Sequence, residues 1–146
     1  MSISINWLLS DQVIYSRADG DVSLEDLAYL SNSVDKLCQQ TPAASIHHII
    51  DLTRLGKIPL NLVQIQAATR SDQPNLKLVW LIVLHTGTPI IQFLLTSLSH
   101  FFNFKFRIFR TLEEGWEFLH QNDERLPAAL PILAMPFHPV PESPER

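Results

Sequence analysis

The stretch that decides the fold reads LKLVWLIVL at Leu76–Leu84, followed by HTGTP and then by IIQFLLTSL at Ile90–Leu98. This apolar region is broken into two runs of nine residues by His85, Gly87 and Pro89, whereas a membrane-spanning helix needs about 20. Short apolar runs bounded by turn residues are typical of a buried strand followed by a buried helix. Leu76–Leu84 is apolar on both alternating faces, which predicts a central parallel strand with helices on each side.

Three further strands are predicted upstream of this run. IHHIID at Ile46–Asp51 is a short apolar strand. The first residues of the chain alternate between apolar and polar, as in a half-buried strand. A second strand begins at Val13 after the turn-like Ser10–Gln12, so we expect an N-terminal hairpin, with Ala18–Asp21 as a turn after it. The alternating apolar residues of the first strand are Ile3, Ile5, Trp7 and Leu9.

Four helices are predicted from their start signals and apolar spacing. Ser23 is a typical N-cap, and the apolar residues after it keep helical spacing as far as Thr41-Pro42. Thr88 followed by Pro89 is a strong helix start, and Thr111-Leu-Glu-Glu114 forms a capping box. The remaining helix runs from about Pro59 or Asn61 to Arg70, and a fifth strand, KFRIF, is predicted at Lys105–Phe109.

The order of these elements predicts an α/β fold. Strands that alternate with helices favour a mixed, mostly parallel sheet, here of about five strands with about four helices and the N-terminal hairpin at one edge. We expect one domain over residues 1–126, and a proline-rich extended tail over residues 127–146. The apolar residues of this tail, available to lie against the domain or a partner, are Leu130, Ile132, Leu133, Met135 and Phe137.

Composition excludes several classes of protein. The 146 residues are 46% hydrophobic, enough for a core, and carry 11 Lys and Arg against 15 Asp and Glu. This mild acidity argues against a dedicated nucleic-acid binder. Cys38 is the single cysteine, so neither an internal disulfide nor a cysteine-clustered metal site is expected. The start, MSISINWLLSDQ, has no signal-peptide features, and we therefore expect a cytoplasmic protein without a membrane span.

A small polar pocket is one interpretation of the residues that end the two inner strands. Ligands of open α/β sheets favour the carboxyl edge of the strands, and an anion favours a helix start such as the one at Thr88. The competing interpretation, which we favour, is that Asp51 is a capping and loop-bracing carboxylate. The candidate ligand-binding residues are Asp51, Thr53, Lys57, Thr86 and Thr88, with Arg54 in the same loop.

The sequence predicts neither a metal site nor catalytic residues, and it implies no cofactor. His47 and His48 are adjacent in a strand, so they point to opposite faces and do not readily share a metal. His85 could approach Asp51 at neighbouring strand ends and act as a base, but no motif places a nucleophile beside it. We interpret the histidines as structural or surface residues, and Cys38 as a small buried apolar residue.

The last strand and the helix before it supply candidate interface residues. Lys105 and Arg107, with Arg110, form a basic row that either protects an edge strand or meets an acidic partner. Phe93 and Phe109 are expected to leave apolar surface exposed in a monomer, which is typical of an interface. We therefore predict a homodimer or a protein partner.

Ile49–Thr53 reads IIDLT and is followed by Leu55 and Ile58, a pattern that resembles the core signature of STAS domains. These domains form the fold of anti-sigma-factor antagonists and of sulfate-transporter tails. The Leu76–Leu84 strand and the final TLEEGWEFL helix also resemble that fold, especially its divergent bacterial members, over roughly Ile5 to Leu119.

The resemblance implies an Asp-Ser pair at the start of the next helix, the serine being phosphorylated in the family. Counting from Asp51, those positions hold Pro59 and Leu60 in this chain. Leucine has no hydroxyl, so the phosphorylation switch is not expected here. Asn61 and Thr53 are the nearest polar residues, and of these only Thr53 could accept a phosphoryl group.

Two hypotheses about function remain open on the sequence alone. The first is a non-catalytic, STAS-like regulatory or protein-interaction module that lacks the phosphorylatable serine. The second is a small-ligand protein that holds an anion or an apolar molecule between the sheet and the Ile90–Phe102 helix. An enzyme ranks third, because it would need a strongly perturbed titratable group in a cleft.

Overall fold

The computed structural model describes residues 2–70, 77–85 and 88–131. These ranges hold five strands and four helices. The strands are β1 (Ser2–Leu9), β2 (Val13–Gly20), β3 (Ile46–Leu55), β4 (Leu78–Leu84) and β5 (Lys105–Phe109). The helices are α1 (Leu24–Gln40), α2 (Leu62–Thr69), α3 (Pro89–Phe102) and α4 (Leu112–Asn122).

The five strands form one sheet in the order β1-β2-β3-β4-β5. β1 pairs antiparallel with β2, and every other pair is parallel. The predicted α/β fold is confirmed, including its N-terminal hairpin. β3 lies at the centre of the sheet, where Arg17 and Leu84 are the neighbours of Asp51 on either side.

The helices divide unequally between the two faces of the sheet. Among the four helices of the described residues, α4 is the one that packs against one face, which is called the α4 face. The other carries α1 and α3 in contact with the sheet, and α2 against α1, and is called the three-helix face. Both faces of β4 are therefore covered, as the all-apolar run predicts. The core of the α4 face includes Val13, Tyr15, Ile49, Ile82, Leu84, Trp116, Leu119 and Leu126.

The helix starts are set by local chemistry. The Ser23 hydroxyl accepts the backbone N–H of Asp26, whose carboxylate accepts the N–H of Ser23, and Thr111 forms the same box with Glu114. Both predicted N-caps are confirmed. Asn61, and not Pro59, caps α2. The next helix, α3, begins after Thr88 with a proline at its first position, but the threonine side chain makes no capping hydrogen bond.

The hairpin differs from the prediction at both ends. Leu9 was expected on the same side as Ile3, but a register shift between Trp7 and Leu9 places Leu8 and Leu9 in the core of the α4 face. A β-bulge of this kind interrupts strict alternation. The predicted turn at residues 18–21 is wrong, because β2 continues to Gly20 along β3.

The approach of the β2 and β3 ends requires a glycine. Gly56 donates its N–H to the carbonyl of Gly20 at 2.8 Å. A Cβ added at Gly56 would lie 2.3 Å from Oδ1 of Asp21, closer than non-bonded atoms approach. That Asp21 oxygen accepts the N–H of Lys57 at 2.7 Å, so the tight contact fixes the loop that follows β3.

The first residues of the predicted tail pack against the α4 face. Leu126 is buried there, and the Trp116 indole donates a hydrogen bond to the carbonyl of Pro127 at 3.0 Å. Leu130 is half-buried against the same core. The tail residues from Ile132 onward lie outside the described residues. None of the helices in the described ranges is long and apolar enough to cross a membrane.

Candidate functional site

The Asp51 carboxylate accepts hydrogen bonds in the middle of β3, because this strand continues to Leu55 and does not end at Asp51 as the sequence suggested. Its Oδ2 accepts the Tyr15 hydroxyl at 2.7 Å. Its Oδ1 accepts the backbone N–H of Thr53 at 2.9 Å and the Thr53 hydroxyl at 2.6 Å. Both oxygens are thus engaged by the protein itself.

Tyr15 is the buried half of this arrangement. Burial in the α4-face core raises the pKa of its phenol well above the ordinary value, and the negative charge of Asp51 raises it further. Arg17, two residues along β2, acts in the opposite direction but is the smallest of these influences. The phenol therefore stays protonated and remains a donor to Asp51 at neutral pH.

The other candidate ligand residues do not join Asp51. The backbone carbonyl of Lys57 accepts the N–H of Val22 at 2.8 Å, and its backbone N–H donates to the Asp21 carboxylate. The Lys57 side chain is exposed. Thr88 is exposed at the start of α3, on the three-helix face, whereas Asp51 lies on the α4 face. Thr86 lies outside the described residues.

An exposed ion-pair group lies beside this edge of the sheet. Asp19 Oδ2 is 3.6 Å from Arg54 Nη1 and 3.9 Å from Arg17 Nη2. All three side chains reach solvent, so these pairs contribute little to stability. Because the Asp19 carboxylate lies between the two arginines, this group does not form a positively charged site for an anion.

The two adjacent histidines are buried with different partners. His48 Nε2 lies 2.7 Å from the Ser16 hydroxyl on the three-helix face, and desolvation lowers its pKa to about 4. His47 Nε2 lies 2.8 Å from Asp123 Oδ2, just after α4. Desolvation lowers the pKa of His47, and Asp123 partly offsets that effect. The described residues include no group of three or more metal-ligating side chains.

Asp123 is the polar residue that the sequence did not single out. Arg125 donates to both carboxylate oxygens of Asp123, from Nη2 to Oδ2 at 2.6 Å and from Nε to Oδ1 at 3.0 Å. Arg125 also donates to the carbonyl of Ser45. Hydrogen bonding from Arg125, with a smaller effect of His47, holds the pKa of Asp123 well below its usual range. This cluster ties the end of α4 to the beginning of β3.

His85 does not join the acid–base arrangement considered from the sequence. The backbone N–H of His85 donates to the backbone carbonyl of Phe109 at 2.9 Å and so continues the β4–β5 pairing. The donors to the Asp51 carboxylate among the described residues are Tyr15 and Thr53. Desolvation lowers the pKa of the His85 ring.

The predicted interface residues lie on both faces of the sheet. Phe93 projects from α3 with 63% of its surface exposed. Phe109 is half-buried on the α4 face, with its ring centroid 5.5 Å from that of Phe118. Lys105 and Arg107 lie on the same face. Lys105 Nζ is 5.5 Å from the centroid of the Trp80 ring, and Arg107 Cζ is 5.0 Å from that of the Phe118 ring. Phe93 is therefore separate from the other three.

The large exposed apolar side chains of the described ranges belong to the helices of the three-helix face and to the residue before the N-cap of α2. Val63 of α2 is 73% exposed, and Leu60 beside it is 56% exposed. The remaining members belong to α1 and α3. The full set is Tyr29, Leu60, Val63, Ile90, Phe93 and Phe101.

Solved structures resemble this chain in fold. No family model matches the sequence, and no curated protein matches it significantly. An uncharacterized protein of the DUF3478 family with a SpoIIAA-like fold, from Shewanella loihica PV-4, superposes with a TM-score of 0.58 and 15% identity, over 81% of this chain and 92% of its own. The anti-sigma factor antagonist SpoIIAA, in its unphosphorylated form, superposes with a TM-score of 0.53 and 12% identity, over 82% and 97%.

The fold is STAS-like. The resemblance expected from IIDLT at Ile49–Thr53 is thereby confirmed at the level of fold. In this STAS-like chain Leu60 is an exposed residue immediately before the N-cap of α2, and it has no hydroxyl. The Thr53 hydroxyl donates to Asp51, so a phosphate added there would face a carboxylate and be repelled by it.

Proposed function

We propose that this chain is a non-catalytic protein-interaction module with a regulatory role, and that it binds a partner protein through the beginnings of α2 and α3. The supporting observation is that large apolar side chains are exposed at the beginnings of both helices, Leu60 and Val63 at α2 and Ile90 and Phe93 at α3. Clusters of exposed apolar residues are typical of protein-binding surfaces. We call Leu60, Val63, Ile90 and Phe93 the α2–α3 surface.

The topology supports treating these four residues as one surface. β3 and β4 are parallel neighbours, so the chain leaves both strands at the same edge of the sheet before entering α2 and α3. Ile58, just before α2, and Ile91, in the first turn of α3, pack into one core cluster. Their exposed neighbours therefore project from the same region of the three-helix face.

Leu60 shapes the kind of binding that we propose. A phosphorylated serine would bring nearly two negative charges to this position and disfavour an apolar contact. Leucine at the same place adds apolar area and has no site for phosphate. Binding through the α2–α3 surface is therefore not switched on or off by phosphorylation at residue 60.

A non-catalytic role is supported by the state of the polar groups. Asp51 is engaged by Tyr15 and Thr53. The Ser16–His48 pair, which has the composition of a nucleophile and base, is buried where no substrate reaches it. The Asp51 oxygens are thus occupied by protein donors and the Ser16–His48 pair is inaccessible, so neither group is available to a substrate.

The proposal is tested by site-specific photocrosslinking in the source cells. A photoreactive phenylalanine analogue replaces Val63 or Phe93, and in a matched control it replaces Glu117, which is exposed on α4. We expect a discrete protein adduct from positions 63 and 93 but none from position 117, and loss of that adduct when Leu60→Asp is added. Equal adducts from all three positions, or an adduct that survives Leu60→Asp, would contradict the proposal.

A further inference from the structure

The two outer strands of the sheet differ in how they are protected. Within the described residues β1 and β5 each pair with one strand only. β5 carries Lys105 and Arg107, and Arg110 follows it. β1, with the sequence SISINWLL over Ser2–Leu9, has neither a charged residue nor a proline. Charged residues and prolines are the usual means by which edge strands avoid pairing with other chains.

The outer edge of β1 is regular over the six residues Ser2–Trp7. In an antiparallel pair every second residue directs its N–H and C=O away from the partner strand, so half of the β1 residues offer these groups opposite β2. Ile3 to Trp7 pair with β2 in continuous register, and the bulge before Leu9 ends the regular stretch. Such a segment is a template for one more strand.

We infer that Ile3–Trp7 pairs antiparallel with the same segment of a second copy of this chain, joining two five-stranded sheets into one. A twofold arrangement places the same surface on both sides of the contact and closes at two copies. Because β1 is uncharged, its own copy meets it without repulsion. Two β5 edges would instead bring Lys105 and Arg107 of both copies together.

The side chains of β1 suit this partner on both faces of the joined sheet. Ile3, Ile5 and Trp7 are half-buried against the α1 side of the core. In the twofold pair they come beside their counterparts, and apolar cross-strand pairs of this kind stabilise a sheet. Ser4 and Asn6, on the other face, are uncharged and half-buried, so no charge is desolvated by the contact.

This interface is separate from the α2–α3 surface. β1 offers the backbone edge of the sheet, whereas the α2–α3 surface consists of exposed side chains at the beginnings of two helices. Of these helices, α3 packs over β5 at the opposite side of the sheet, and α2 packs on α1. The second copy and the proposed protein partner therefore bind different parts of the molecule, and either contact can fail without the other.

The test uses charge variants of the full chain at Asn6, which lies opposite Tyr15 in the register. Sedimentation velocity of the unaltered protein should give twice the 16.7 kDa monomer mass. Asn6→Lys and Asn6→Glu, each measured alone, should weaken dimerisation about tenfold or more, because like charges meet across the contact. An equimolar mixture of the two variants should recover the dimer. The same pair of substitutions at Asn32, exposed on α1, is the matched control and should leave the dimer intact.

Several results would overturn the inference. The inference is wrong if the unaltered protein is monomeric at tens of micromolar, because β1 then does not pair with a second copy. A dimer that persists in both Asn6 variants would place the contact elsewhere, and assemblies that grow with concentration would indicate head-to-tail pairing of β1 with β5. If circular dichroism shows both variants folded but their mixture stays monomeric, charge at β1 does not control association.

Discussion

The hydroxyl of Tyr15 and the carboxylate of Asp51 lie 2.7 Å apart and join β2 to β3 on the α4 face. The two residues are separated by 36 positions in the chain. Asp51 also accepts two hydrogen bonds from Thr53, two residues further along β3, so a single carboxylate is bonded both to the neighbouring strand and within its own strand. It therefore stabilises the pairing of β2 with β3, the strand that precedes α2 and its exposed apolar neighbours.

Replacing Tyr15 by phenylalanine tests this brace. The variant keeps the ring in the core but removes the donor to Asp51, and we expect the free energy of unfolding to fall by about 1.5–3 kcal/mol, the range for hydrogen bonds to charged groups. Urea denaturation followed by circular dichroism measures the change. Tyr29→Phe, on the exposed side of α1, should change stability by less than about 0.5 kcal/mol. Equal effects of the two variants would show that the brace is unimportant.

The raised pKa of Tyr15 makes a spectroscopic prediction. The chain has two tyrosines, so Tyr29→Phe leaves Tyr15 alone to report its ionisation by absorbance. Because burial and the Asp51 charge disfavour the phenolate, the absorbance should not rise at the ordinary pKa of about 10 while the protein stays folded. A rise near that pH with an unchanged circular dichroism spectrum would contradict the buried position of Tyr15.

His48 predicts how stability changes with pH. The unfolded chain binds a proton there below the usual pKa of 6.5, but burial lowers the pKa in the folded protein to about 4. The contribution is therefore fully present above pH 6.5, and it is lost as pH falls through the interval from 6.5 to 4. Within that interval His48 alone should remove about 1.4 kcal/mol of unfolding free energy per pH unit.

A comparison with His48→Gln isolates this contribution. Glutamine places an amide near the Ser16 hydroxyl but does not titrate, while the carboxylates and the other histidines are common to both proteins. Urea denaturation at pH 7, 6, 5 and 4 should give a shallower loss of stability for His48→Gln. If the two proteins lose stability in parallel, His48 is not kept neutral by burial.

Trp116 should be among the costliest single replacements in the core. Its side chain is 2% exposed, and Trp116→Ala should lower the free energy of unfolding by about 3–5 kcal/mol. Trp116→Phe keeps much of the ring but loses the hydrogen bond to Pro127, so we expect a smaller loss. Denaturation by urea orders the two variants, and a near-neutral Trp116→Ala would assign this ring to a surface.

Two truncations test where the domain ends. Removing residues 127–146 should leave a folded protein, as the predicted boundary at residue 126 requires. It should nevertheless be less stable, by about 1–3 kcal/mol, than a chain that ends at Pro131, because it loses the carbonyl that accepts from Trp116 and the contacts of Leu130. Global unfolding of the shorter chain would move the boundary beyond residue 126.

The helix caps were predictable from the sequence because they depend on neighbouring residues. Ser23 and Thr111 each cap a helix through atoms three positions away. β5 was predicted with its bounds, and its alternation placed Lys105 and Arg107 on one face. Such local chemistry fixes the elements and, through their order, the class of fold.

The contacts of the candidate site could not be predicted, because they depend on strand register. Asp123 contacts His47, which is 76 positions away in the chain. This contact forms only when α4 packs on the sheet, and neither segment's sequence indicates how the two will be aligned. Phe109 was expected to be exposed but is half-buried, because nothing local showed that Phe118 would pack against it. Leu8 was missed, and Leu9 was assigned to the wrong face, because a bulge shifts the alternation on which the prediction rested.

The contact between His47 and Asp123 joins β3 to a residue 76 positions later in the chain. Within the described residues, the core of the α4 face combines Val13 and Ile49 with Trp116 and Leu126, which are synthesised after the first three strands. While Trp116 and Leu126 are still missing from a nascent chain, Val13 and Ile49 are exposed to water or to a chaperone.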